Sequence, residues 1–199
     1  MTKTKACYKL LPADYVSLLA LLVSCIGIWF LINGFVKFAI ICGGAAFVFD
    51  ALDGYIARRL NQSSEFGKQL DSMIDVINYP VASALFIQLV LMPNIWGALV
   101  GFFVIATGIL RLVGFNKNGF IKHKNKLYYR GLVVCHISLI TALLVLAVRF
   151  ISIPQIVIAL IILVPASLQL SSIRTRKTGA LFVWIPVAVI VGIGALLWL

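Results

Sequence analysis

The chain is a succession of apolar runs, 17 to 27 residues long, interrupted by short polar stretches. A helix rises about 1.5 Å per residue, so runs of this length match the roughly 30 Å hydrocarbon core of a bilayer. They predict helical spans at 15–31, 36–58, 66–92, 95–114, 127–146, 154–171 and 180–198. The segment 1–14 has a different character. Its lysines stand beside a Leu-Leu pair ahead of Pro12, which predicts a short helix lying on an anionic interface. A cleaved leader fits poorly, because the first apolar run continues to Leu31 without a small-residue cleavage pattern and leads straight into the next span.

Composition turns the pattern into a class. With 62% hydrophobic and 12% charged residues and a mean hydropathy of +1.09, the chain lies far from an ordinary soluble domain. No other segment of domain size remains, so the expectation is an all-α integral membrane domain over 15–178, with 179–199 as an additional C-terminal transmembrane helix. The formal charge of +11 follows from orientation. If the N-terminus is cytoplasmic, Lys3, Lys5, Lys9, Arg58, Arg59, Lys68, Arg111, Lys117, Lys122, Lys124, Lys126, Arg130, Arg174, Arg176 and Lys177 all fall at cytoplasmic ends, leaving Lys37 and Arg149 outside. Positive-inside bias then accounts for most of the charge, and no nucleic-acid partner is required. The four cysteines, Cys7, Cys25, Cys42 and Cys135, show no C-x-x-C spacing and predict neither a disulfide framework nor a zinc site.

Against this background the acids stand out. Asp50, Asp53, Asp71 and Asp75 fall within 26 residues, in a medium where an uncompensated carboxylate is costly. At about 100° per residue, Asp50, Asp53, Gly54 and Ala57 share one helix face. Gly67, Asp71 and Asp75 repeat every four residues on the next helix. Packed antiparallel, the two helices would bring four carboxylates together near the cytoplasmic surface. Such a cluster repels itself and needs positive charge. One source is an interhelical salt-bridge network with Arg58, Arg59 and Lys68. The other is a hard divalent ion, since all-carboxylate ligation favours Mg²⁺, Mn²⁺ or Ca²⁺. A pair of such ions is a known device for phosphoryl transfer.

The string D50-x-x-D53-G54-x-x-A57-R58, eight residues, then G67-x-x-x-D71-x-x-x-D75 resembles the signature of the CDP-alcohol phosphatidyltransferase family at every defined position. The resemblance implies a six-helix transmembrane core, a CDP-linked lipid substrate, a pair of Mg²⁺ or Mn²⁺ ions and a homodimer. By motif position it implies that Asp50, Asp53 and Asp71 hold the metals. Asp75 would also reach the cluster and act as general base toward the acceptor hydroxyl. Gly54 and Ala57 would face the cytidine nucleotide, and Arg58 would order carboxylates or phosphates.

Weaker segments bear on the acceptor. RLVGFN, from Arg111 to Asn116, and YYRGL, from Tyr128 to Leu132, resemble elements of the phosphatidylserine synthases, and so does the basic segment LQLSSIRTRK. This resemblance implies CDP-diacylglycerol as donor and L-serine as acceptor, with Arg111, Asn116 and Arg130 bordering the acceptor or lipid phosphate. Gly114 departs from the branch's usual second arginine, and Val133 and Cys135 replace prolines. Glycerol 3-phosphate or an inositol phosphate remain alternative acceptors. A cation transporter is a more distant alternative; it would place its acids near the bilayer midplane on broken helices, whereas these cluster toward one end. Gly43, Gly44, Ala45 and Ala46 are expected to serve close helix packing.

Overall fold

A computed structural model describes residues 10–60, 64–123, 126–176, 193, 194 and 197. Within them run six helices. These are α1 (Pro12–Ile32), α2 (Val36–Arg59), α3 (Glu65–Leu91), α4 (Ile95–Asn118), α5 (Cys135–Ala147) and α6 (Gln155–Leu168). Helices α1, α3 and α4 are long and apolar enough to cross a membrane, and α5 and α6 are shorter apolar helices. Helix α1 begins at Pro12, three residues before the predicted first span, and a proline at the first helical position loses no hydrogen bond. Residues 1–9 lie outside the described residues, as does most of the expected seventh span.

Local chemistry sets the helix boundaries. Ser64 caps α3 by accepting the Gly67 N–H at 2.8 Å, and Asn94 caps α4 by accepting from Trp96 and Gly97. Helix α3 contains two π turns, Ile77–Val81 and Ile87–Leu91. Pro80 lies in the first, where its missing N–H breaks the regular ladder. The predicted fifth span needs correction. Residues 127–134 are not helical, and α5 begins only at Cys135. Instead β1 (Ile121–His123), β2 (Lys126–Arg130) and β3 (Arg174–Arg176) form a small antiparallel sheet in the order β1-β2-β3. The adjacent tyrosines in KLYYR suit a strand, and Gly131, at φ +73°, ends it by bringing its backbone against the Gln169 carbonyl, where a Cβ would not fit.

The core is packed by side chains from α2 to α6, among them Ile40, Ile87, Val104, Ile137, Val145 and Ile162. Much of the outer surface is apolar too. On α4, Ile95, Trp96, Leu99, Phe102, Leu110 and Val113 are all exposed. An apolar surface this extensive would be an aggregation hazard in water but is the expected jacket in lipid. The molecule is therefore a multi-pass membrane protein. Small residues bring helices close, as at Gly27 and Gly101. A Cβ on Gly27 would sit 2.9 Å from Cys42, and one on Gly101 would sit 3.2 Å from Ala84. Ala46 is buried, whereas Gly43 meets nothing within 4 Å and lines a cleft together with Gly44.

Candidate metal and substrate site

The motif helices do not lie directly on one another. Helix α1 packs along α2 and also against the first half of α3, while α2 approaches α3 closely only around the π turn that contains Tyr79. The carboxylates meet across the resulting gap. Asp50, Asp53 and Asp71 each offer an oxygen, and these oxygens lie within 4.8 Å of one another. Asp75 stands beside this triad, one turn further along α3, within hydrogen-bonding reach of Asp50. Its Oδ1 is buried without a hydrogen-bond partner.

Two contacts absent from the motif hold the triad in place. Ser17 of α1 donates to Asp53, and Tyr79 donates to Asp50 at 2.7 Å. Tyr79 was detectable in principle, since positions 67, 71, 75 and 79 extend the same four-residue ladder along one helix face. Ser17 and the neighbouring Asp14 also carried a signal, as polar residues at the start of an apolar helix. The cations named as ion-pair partners go elsewhere. Arg58 folds back over Gly54, its Nη1 only 3.3 Å from where a Cβ would be, and Arg59 donates to the Tyr55 hydroxyl. Among the described residues no ion pair ties Arg58, Arg59 or Lys68 to the four carboxylates. Three charges this close repel by on the order of 4 kcal/mol per pair at an effective dielectric of about 20. The donor set, three hard oxygens with no cation of their own, therefore fits a divalent ion.

The predicted acceptor residues separate. Arg111 is buried, its guanidinium carbon 5.4 Å from the Phe115 ring and 5.5 Å from the Tyr129 ring, two rings that touch each other at 5.6 Å on one side of it, with Nε and Nη2 free of hydrogen bonds. It lies close enough to Asp75 to feel that charge. Asn116 is exposed and accepts from Ser72 on α3 at 3.1 Å. Arg130 is exposed at the end of β2, where its backbone pairs with Arg174. The sheet thus supplies Tyr129, one of the two rings that Arg111 rests against. Gly114 has open space around it, so nothing in the packing demands a glycine there.

Two clefts flank the carboxylates. The first, between α1, α2 and α3, is lined by Asp14, Ser17, Asp53, Gly54, Ala57 and Gly67 among others, and encloses about 490 Å³ including its mouth. The second, between α2, α3 and α5, is lined by Ile40, Gly43, Phe47, Phe86, Leu139 and Ala142 among others, and encloses about 670 Å³. Gly54 and Ala57 thus face the cleft that the triad opens into.

A model of CDP-alcohol phosphatidyltransferases matches residues 10–199. The chain belongs to that family. Its members similar to this chain include a CDP-diacylglycerol–serine O-phosphatidyltransferase of Methanocaldococcus jannaschii, 38% identical over 72 residues. That match takes in 36% of this chain and 32% of the relative. An archaetidylserine synthase of Methanothermobacter thermautotrophicus is 39% identical over 88 residues, 43% of this chain and 38% of the relative. A CDP-diacylglycerol–serine O-phosphatidyltransferase of Saccharomyces cerevisiae is 35% identical over 68 residues, 34% of this chain and 25% of the relative. The chain thus spans roughly a third of the length of the curated relatives it matches.

Proposed function

We propose that this phosphatidyltransferase moves the phosphatidyl group of CDP-diacylglycerol, or its ether-linked counterpart, onto the hydroxyl of L-serine, releasing CMP. The observation that carries the reading is the triad of Asp50, Asp53 and Asp71 oxygens within 4.8 Å, with the unpartnered Asp75 Oδ1 beside it. Asp50, Asp53 and Asp71, with Asp75 reaching the same cluster, would hold two Mg²⁺ or Mn²⁺ ions, which would supply the positive charge that a pyrophosphate and a departing nucleotide phosphate require. Ser17 and Tyr79 orient Asp53 and Asp50 for that task.

Asp75 takes the proton of the acceptor hydroxyl through its free Oδ1. The resulting oxygen forms a bond to the lipid-side phosphorus as the bond from that phosphorus to the bridging oxygen breaks, and CMP departs with the bridging oxygen. Arg111 has two donors to offer, and the pair of rings it rests against limits how its guanidinium can turn. It holds the acceptor's carboxylate or the lipid phosphate, with Asn116 and Arg130 bordering the same mouth. Arg58, folded over Gly54, lies at the nucleotide cleft. The apolar cleft receives the lipid chains. Serine as acceptor is supported by two matched relatives whose names specify serine and by a third named for archaetidylserine. A homodimer with its active site at the cytoplasmic face belongs to the same reading, supported by family membership and by the basic-residue asymmetry.

Purified protein given CDP-diacylglycerol, Mg²⁺ or Mn²⁺ and a panel of acceptors tests all of this. Release of CMP driven by serine, with a new serine-containing lipid, is expected. Release driven instead by glycerol 3-phosphate or an inositol phosphate would reassign the acceptor, and no CMP with any acceptor would overturn the reading.

A further inference from the structure

The cleft between α2, α3 and α5 is apolar except at one level. Asn78, in the first π turn of α3, is only 7% exposed and lines that cleft, yet neither its Nδ2 nor its Oδ1 has a hydrogen-bond partner among the described residues. A buried amide left unmet is costly, so one that borders a cavity marks a contact completed by what enters the cavity. Ser83 and Ser138 line the same cleft. Ser83 donates to Ser138 at 3.0 Å, from α3 to α5, which leaves the Ser138 proton uncommitted. Tyr79 has no such freedom, because its hydroxyl is committed to Asp50. Two donors, Asn78 Nδ2 and Ser138 Oγ, therefore stand on two walls of a cavity whose remaining lining is mainly apolar, with Ile40, Phe47, Phe86 and Leu139 among it. A few placed polar groups in an apolar cleft fix the orientation of a ligand and select for it.

We propose that Asn78 and Ser138 donate to the ester carbonyls of a diacyl substrate, so that the protein selects an ester-linked CDP-lipid over its ether-linked counterpart. The inference rests on the CDP-lipid reading above and names the lipid class within it. Asn78 follows Asp75 by three residues, roughly 4.5 Å along the axis of α3. With the lipid-side phosphorus at the carboxylates and the chains in the apolar cleft, the groups that fall between are the two esters of the glycerol. Their carbonyl oxygens accept and have no proton to give, which suits two donors. An ether-linked chain carries no carbonyl, and its ether oxygen is a weaker and more crowded acceptor. Such a lipid fills the cleft but leaves the Asn78 NH₂ buried and unpaired, and a buried donor discriminates through that loss.

The test is the ratio of kcat/KM for CDP-dioleoylglycerol and a dialkyl CDP-lipid of equal chain length, in mixed micelles, for the wild type and for Asn78→Leu. Leucine keeps the size of the side chain and removes its polarity. We expect the wild type to favour the ester lipid by about 10- to 100-fold and the variant to bring the two within about threefold. The variant should use the ether lipid at least as well as the wild type does, an outcome that general damage to the fold does not give. An unselective wild type, or a folded and active variant that keeps the wild-type ratio, overturns the assignment. Ser138→Ala should lower the ratio several-fold, and an unchanged ratio there would overturn the role of Ser138. The infrared stretch of ¹³C-labelled ester carbonyls in bound CDP-dioleoylglycerol gives a readout without turnover. It is expected at lower frequency in the wild type than in the micelle alone, with the difference lost in Asn78→Leu. Absence of that shift in the wild type refutes the proposal even where the variant does not fold. If no acceptor releases CMP from either lipid, yet the shift is present and depends on Asn78, the lipid assignment stands and the transfer reading fails. CMP released equally well from both lipids leaves the transfer reading intact and removes the selection.

Discussion

The cleft between α1, α2 and α3 and the cleft between α2, α3 and α5 share helices α2 and α3 as walls but draw on different stretches of each. The first takes Asp53, Gly54 and Ala57 from the end of α2, together with Asp14, Ser17 and Asp71. The second takes Ile40, Gly43, Gly44 and Phe47 from the middle of α2 and adds Phe86, Leu139 and Ala142. Asp50 falls between the two sets, and Tyr79, which lines the apolar cleft, reaches across to it. Both clefts are floored by glycines, but with different consequences. A Cβ at Gly67 would be forced against Asp14 and Ser64, whereas one at Gly43 would meet only open space. The comparison teaches that polar and apolar linings are separated along a single helix. Position along α2 decides which lining a cleft receives.

The strongest way to break the comparison is to remove the boundary itself. Asp71→Asn is expected to lower kcat/KM for CMP release by at least about 10³-fold and to abolish thermal stabilisation of the protein by Mg²⁺ or Mn²⁺, an effect EDTA should mimic in the wild type. Retained metal stabilisation in that variant would show that the triad is not the cation site. Asp75→Asn should be milder in scope. We expect turnover to fall by about 10² to 10⁴-fold while CMP affinity in Mg²⁺ stays within about threefold, as befits a proton acceptor. Near-normal turnover would take the base role from Asp75.

The glycines sharpen the contrast at lower amplitude. Gly67→Ala should raise KM for the CDP-linked lipid by about tenfold, because Asp14 or Ser64 must shift from 2.8 and 3.0 Å contacts. Gly43→Ala is expected to leave both constants unchanged. Equal effects at the two positions would erase the distinction drawn here. Smallest of all, Gly43→Leu should raise KM several-fold for long-chain lipid and leave CMP inhibition untouched, since it fills the apolar cleft alone. A matching change in CMP inhibition would join the clefts into one.

Much of the acidic site could be read in advance because helical spacing is short-range geometry. Asp50, Asp53, Gly54 and Ala57 must share a face if the segment is helical, and so must Gly67, Asp71 and Asp75. What spacing could not show was the wedge. Ser17 and Asp14 lie more than 30 residues before the motif, and only the packing of α1 against both α2 and α3 brings them into the cleft. The fifth span was overextended for a related reason. Leu127, Tyr128 and Tyr129 are apolar enough to continue a span, but they pair with β1 and β3, partners distant in sequence in the second case. The acceptor residues were found as a group and came apart for want of depth information. Arg111 is buried against two rings, while Asn116 and Arg130 remain exposed.

The sequence by itself determined that this is a helical membrane protein with a carboxylate-rich phosphatidyltransferase signature, because hydropathy and the 3.6-residue repeat act within a single helix. The tertiary structure alone decided which carboxylates meet, which helix closes the cleft over them and which arginine is stacked and available. Those outcomes depend on crossings between elements far apart in the chain. There, a missing Cβ at Gly27 or Gly67 settles how near two backbones or side chains can come.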